Sequence, residues 1–302
     1  MLLIRRLLDD QAMEEALQNS SSIGRPLAFS LIAGLSTSLG ALLAVLKRPD
    51  QQMMAFLLGL AAGVMITVSV VELIVRNALE NNALLVLISA GLGALAYYLL
   101  ALFMDTMGHK DPPSLLVDLP SMEKPKADQS EPTEWKEDLC IGSPSLRSQN
   151  AKEAASYLRL GLLMALTLTL HNLPEGFAVA FTSYTSLGPI MTLAIALHNI
   201  PEGIVIAAPI YAATGSRFHA IALATASGLS EPVGALIALL LLRPFLNLER
   251  LQFVLASTGG LMLAVSLIEL IPEARKCKND NGMLLGLVTG TVLMGFTLVV
   301  GI

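Results

Sequence analysis

Residues 34–44 read GLSTSLGALLA and residues 228–238 read GLSEPVGALIA, with seven of eleven positions identical. Residues 63–73, GVMITVSVVEL, return as GLMLAVSLIEL at 260–270, with six of eleven identical and at nearly the same offset. Small and apolar residues recur in any membrane helix, but two runs repeated in the same order form an internal repeat. All four runs lie within long apolar segments. Working outward from them, eight such segments fall at roughly 26–46, 53–73, 83–103, 158–180, 188–210, 218–242, 252–271 and 284–302. Spans one and two therefore resemble spans six and seven. An odd number of spans separates the copies, so they cross in opposite senses. Such inverted repeats are common in secondary transporters, whose sites lie near the midplane where the repeats meet.

Composition agrees with this reading. The chain has 302 residues, 54% hydrophobic and 14% charged, with a mean hydropathy of +0.66. Soluble domains carry about a quarter charged residues, so this one cannot cover itself in water. A soluble enzyme and a disordered scaffold are excluded, and a net charge of −5 offers nothing to nucleic acid. Two cysteines, Cys140 and Cys277, make neither a disulfide framework nor a cysteine zinc module. The expected fold class is an all-α polytopic membrane protein.

Four regions follow. Residues 1–25 form a tail whose apolar start is cut by Arg5 and Arg6, so it does not read as a signal peptide. Leu3, Leu7, Leu8 and Met13 fit one face of a short interfacial helix. Residues 26–103 hold helices one to three. Residues 104–157, with Pro112, Pro113, Pro120, Pro125, Pro132 and Pro144 among mixed charges, read as a solvent-exposed, disordered loop without a histidine cluster. Residues 158–302 hold helices four to eight. Most of the 19 basic residues fall in loops on one side, among them Lys47, Arg48, Arg217, Arg275, Lys276 and Lys278. The positive-inside tendency then places the long loop in the cytosol and both termini outside, in a plasma or inner membrane.

The chemistry lies between the repeated halves. Residues 171–180 read HNLPEGFAVA and residues 198–207 read HNIPEGIVIA, in spans four and five. A charged group at the bilayer centre costs about 3 kcal/mol on insertion scales, so such residues need partners inside the protein. Helical spacing stacks His171 over Glu175 and His198 over Glu202, with Asn172 and Asn199 turned toward neighbouring positions. Pro174 and Pro201 cannot donate to the carbonyls of Leu170 and Leu197, which frees oxygens, while Gly176 and Gly203 reduce bulk. Imidazole with carboxylate suits Zn²⁺, Fe²⁺, Mn²⁺ or Co²⁺, whereas Ca²⁺ and Mg²⁺ prefer oxygen alone. Glu231, followed by Pro232, stands in span six where the first repeat has Thr37. That departure from symmetry marks Glu231 as a further ligand. Six strong ligands exceed the needs of one tetrahedral zinc, so two adjacent ions sharing Glu202 are expected.

Other polar residues admit two readings. Glu72 and Glu269 close the second repeat near opposite membrane faces, as structural groups or as entry and exit ligands. Ser36 and Ser38 either satisfy local backbone or line the pathway. His109 and His219 read as surface residues. An intramembrane metal hydrolase would use the same ligands, but the spacing is His-x-x-x-Glu, not HExxH, and no separate general base stands out. A haem carrier ligated by His171 and His198 fits poorly with the flanking carboxylates.

At these residues the chain resembles the ZIP (Zrt-, Irt-like) family of divalent metal transporters, and within it the bacterial-type zinc uptake branch. The doubled HNxPEG wording carries the resemblance, which covers about 26–103 and 158–302. It implies a 3+2+3 inverted arrangement of eight transmembrane helices, a homodimer, and metal moved toward the cytosol. By motif position it implies one site at His171, Glu175, His198 and Glu202, and a second at Asn172, Asn199, Glu202 and Glu231. Some members have Asp where this chain has the neutral Asn199. The family is thought to move spans one, four, five and six as a unit. The expected partners are divalent metal ions and the lipid bilayer, with no nucleic acid and no cofactor beyond the transported Zn²⁺ or related ion.

Overall fold

The computed structural model describes residues 23–108, 144–184, 188–242 and 248–300. These residues form helices and turns with no strand among them. Eight helices are long and apolar enough to cross a membrane. They are α1 (Gly24–Ala44), α2 (Gln51–Glu80), α3 (Ala83–Gly108), α4 (Pro144–Thr182), α5 (Gly188–Thr214), α6 (Arg217–Leu240), α7 (Arg250–Lys276) and α8 (Asp280–Val300). The all-α polytopic class expected from composition is what is observed. The interfacial helix expected in the tail lies outside the described residues, as do residues 109–143 of the long loop.

Among the departures from the apolar runs, three have a local reason. Helix α4 already begins at Pro144, where the loop was expected to continue to 157. Ala151, Lys152, Glu153, Ala154 and Ala155 are strong helix formers, so the polar end of the loop continues the span as helix. Helix α2 runs beyond 73 to Glu80, passing through a π-helical stretch at Val68–Arg76. Its extension is tied down by Asn77, whose Nδ2 donates to the Gln252 carbonyl of α7 at 2.7 Å. Helix α6, expected to be continuous, breaks at Leu229 into Arg217–Gly228 and Ser230–Ile237. Pro232 lacks the N–H that would bond back to Gly228, and the first turn of the second half opens there.

Packing is dominated by backbone approach. Gly40 of α1 lies against the Ile200 carbonyl and Gly203 of α5 against the Thr37 carbonyl. In the same way Gly234 of α6 lies against the Leu173 carbonyl and Gly176 of α4 against the Glu231 carbonyl. A Cβ at any of the four would overlap those oxygens. Lipid gives no hydrophobic drive for helix association, so contact between small residues supplies much of it. The neighbours pair in a mirrored way: α2 runs along α8 as α7 runs along α3, and α1 along α5 as α6 along α4.

The result is a central bundle of α1, α4, α5 and α6, flanked by the α2–α8 and α3–α7 pairs. Helices α3 and α8 are the least buried of the eight. Their outward faces carry Leu84, Leu87, Leu92, Leu95, Val292 and Phe296, all exposed. Such an apolar exterior is at home in hydrocarbon and not in water. Several hydroxyls within the spans turn back onto their own helices, as Thr67 does to Gly63 (2.7 Å) and Thr169 to Ala165 (2.7 Å), which satisfies those donors locally.

Candidate metal centre

Helices α4 and α5 meet at the doubled motif. His171, Asn172 and Glu175 come from α4, His198, Asn199 and Glu202 from α5, and Glu231 from the second half of α6. All seven side chains are buried, with His171 and Glu231 at zero exposure.

The two imidazoles converge on one oxygen. Glu175 Oε1 lies 2.9 Å from His171 Nε2 and 2.8 Å from His198 Nε2. The contact within α4 is the one that helical spacing predicts. The α5 histidine instead reaches across to Glu175, while Glu202 Oε1 lies 3.5 Å from His171 Nε2. Each histidine therefore meets the carboxylate of the other helix. His171, Glu175 and His198 offer ligand atoms all within 4.8 Å of one another, a spacing that one metal ion can span.

A second cluster adjoins through Asn199, the residue after His198. Its Nδ2 donates to Glu231 Oε2 at 2.9 Å and to the Ala33 carbonyl of α1 at 3.1 Å. On the α4 side, Asn172 Nδ2 donates to the Ser227 carbonyl at 3.2 Å, just before the break in α6. Both amides are thereby oriented with their oxygens left over. Asn172 Oδ1, Asn199 Oδ1, Glu175 Oε2, Glu231 Oε1 and both Glu202 oxygens are buried without a hydrogen-bond partner. Buried acceptors without partners cost several kcal/mol each in a bilayer, and three carboxylates in one interior repel one another. A divalent cation placed there would relieve both penalties at once.

The carbonyls of Ala33 and Ser227 are the participants that residue types could not reveal. Each precedes the first glycine of the GLS copies, so the repeat register was the available signal. Ser36 and Ser38 stay outside the cluster. Ser36 donates to the Ala33 carbonyl at 2.6 Å, and Ser38 accepts from Thr225 of α6 at 2.9 Å. Glu72 and Glu269 are half-buried and sit on π-helical stretches, Val68–Arg76 and Ser266–Leu270. Such stretches are frequent at functional sites. Glu72 pairs with Arg76 at 2.6 Å and Glu269 with Arg159 at 2.5 Å. His219 is exposed, with Nδ1 2.7 Å from Ser216 Oγ.

Comparison with known proteins adds an independent line. The family described as "ZIP Zinc transporter" matches over residues 106–302. The zinc transporter ZupT of Oceanobacillus iheyensis is 38% identical over 89% of this chain and 95% of its own. That of Chlorobium luteolum is 36% identical over 92% of this chain and 98% of its own. That of Shigella flexneri serotype 5b is 34% identical over 91% and 96%.

Proposed function

Because the chain belongs to the ZIP zinc transporter family, we propose that it carries Zn²⁺, and other divalent transition metals of similar chemistry, toward the cytosol through the cluster on α4, α5 and α6. It is an integral multi-pass membrane protein that transports divalent metal ions, and it is a transporter, not an enzyme. The observation that carries the site is the convergence of two imidazoles on Glu175 amid buried oxygens with no partner.

His171, Glu175 and His198 replace the hydration shell of a first ion, with Glu202 beside them. Asn172, Asn199, Glu202 and Glu231 provide a second, neighbouring position. Mixed nitrogen and oxygen ligands of borderline softness admit zinc, iron, manganese, cobalt and cadmium, so cellular availability shapes what is carried. The mirrored packing of α1–α3 against α6–α8 supports a 3+2+3 inverted repeat. In that architecture the site is exposed alternately to each side. Glu72 and Glu269 serve as carboxylates on the routes in and out, and Ser36 and Ser38 are lining groups. The proposal includes a homodimer surrounded by lipid, with both termini outside and the segment joining α3 to α4 in the cytosol of a plasma or inner membrane.

The test is uptake into proteoliposomes holding a fluorescent metal reporter, with Zn²⁺, Fe²⁺, Mn²⁺ and Cd²⁺ supplied in turn. Accumulation that depends on His171 and Glu202 is expected. Uptake by His171→Ala and Glu202→Ala equal to that of the unmutated protein would remove the site assignment.

A further inference from the structure

One turn of α4 is fastened to the end of α7 by three polar contacts. Arg159 Nη1 donates to Glu269 Oε1 at 2.5 Å, and Ser156 Oγ donates to Glu273 Oε1 at 3.1 Å. Tyr157 Oη lies 3.7 Å from Cys277 Sγ. Glu273 is held in turn by Lys276 at 2.6 Å, and its carbonyl accepts from Cys277 Sγ at 3.7 Å. These contacts join different bodies. Helix α4 belongs to the central bundle and brings three of the candidate ligands, while α7 packs with α3 in a flanking pair that brings none.

The helix itself widens at this contact. Glu269 sits on the π-helical Ser266–Leu270, three residues before Pro272, and a wider turn changes the direction in which its side chain projects. The repeat-related Glu72 also lies on a π-helical stretch but pairs with Arg76 one turn along its own helix. Glu269 instead reaches across to the helix that carries His171 and Glu175.

We propose that Arg159 is a positioning residue for transport, the centre of an ionic tie that holds the metal-bearing bundle against α7 at the end of α4 nearest the long loop. The tie closes in the conformation seen here and opens when that end of the site is exposed. The proposal rests on the reading of the chain as an alternating-access transporter. A tie between moving bodies sets the balance of two states, because it contributes to only one of them. Breaking it at Arg159 therefore shifts the population toward the open state without touching a metal ligand or a carboxylate of the route.

Cys277 is the built-in reporter. Its thiol is buried under Tyr157 within the tie. In a Cys140→Ser background it is the sole cysteine, so its rate of alkylation by a maleimide, in purified metal-free protein, reads the open fraction. Arg159→Gln is expected to speed alkylation roughly fivefold, the shift due to one half-exposed ion pair. Glu269→Gln should match it, the double variant should be no faster than either, and Arg159→Lys should return close to the starting rate. The exchanged pair Arg159→Glu with Glu269→Arg should also slow alkylation relative to either single reversal. Equal rates in Arg159→Gln and its parent, or strictly additive effects of the two Gln variants, would overturn the tie. Zinc flux by the unmutated protein is measured beside it. Absent flux counts against the transporter reading alone, since alkylation does not depend on metal.

Discussion

Glu175→Gln is the most informative substitution at the cluster. The amide keeps the shape of the carboxylate and removes its charge, so the helix–helix packing is left in place. In the structure one oxygen of Glu175 serves both imidazoles, at 2.8 and 2.9 Å. Of the two contacts, the one to His198 Nε2 is a hydrogen bond, worth roughly 1.5–3 kcal/mol when its acceptor is charged. The same anion would bind the cation directly, in surroundings of low dielectric where such attraction is strong. Taking about 1.5 kcal/mol as the lower bound, zinc affinity should fall more than about tenfold. The assay is equilibrium Zn²⁺ binding to detergent-solubilised protein, paired with initial uptake rates in proteoliposomes. The thermal unfolding midpoint is followed to show that the variant is folded. Uptake and affinity both within about threefold of the unmutated protein, with the fold intact, would refute Glu175 as a ligand.

Other expectations follow from the same geometry. Acidification should weaken uptake, because protons compete with metal for imidazole and carboxylate. If one proton leaves per ion bound, affinity drops about tenfold per pH unit across the titrating range, as metal titrations at stepped pH would report. Glu231→Thr, which places in the second repeat what Thr37 places in the first, should reduce the calorimetric stoichiometry from two zinc ions to one. An unchanged stoichiometry would separate Glu231 from metal binding. Gly176→Ala should drive α4 off the Glu231 carbonyl of α6. A cost of about 1–3 kcal/mol is expected, seen as a lower unfolding temperature together with slower uptake, and equal midpoints would show that this approach has slack.

Much of the fold was legible before any coordinates. Eight long apolar runs became eight helices because a backbone in hydrocarbon must satisfy its own hydrogen bonds, and a single helix does so within itself. The doubled motif was equally plain, since buried His and Glu are costly enough in a span to demand a reason. Less visible were the break at Leu229, the π-helical stretches under Glu72 and Glu269, and the extension of α2 to Glu80. The first follows from Pro232 and the last is held by a bond from Asn77 to another helix, and a π-helical turn leaves composition unchanged, so hydropathy does not register them.

Residue order alone determined which chemistry is present and on which rods it rides. Helical periodicity fixes the direction of each side chain about its own axis, so His171 above Glu175 needed no further information. Which rods touch was decided only in three dimensions. His198 bonds to Glu175 and not to Glu202, Asn199 finds Glu231 and Asn172 finds the Ser227 carbonyl because glycines bring α1, α4, α5 and α6 into backbone contact. The reason is physical. A helix is set by neighbours three and four residues away, whereas a partner on another helix is set by the packing of segments far apart in the chain.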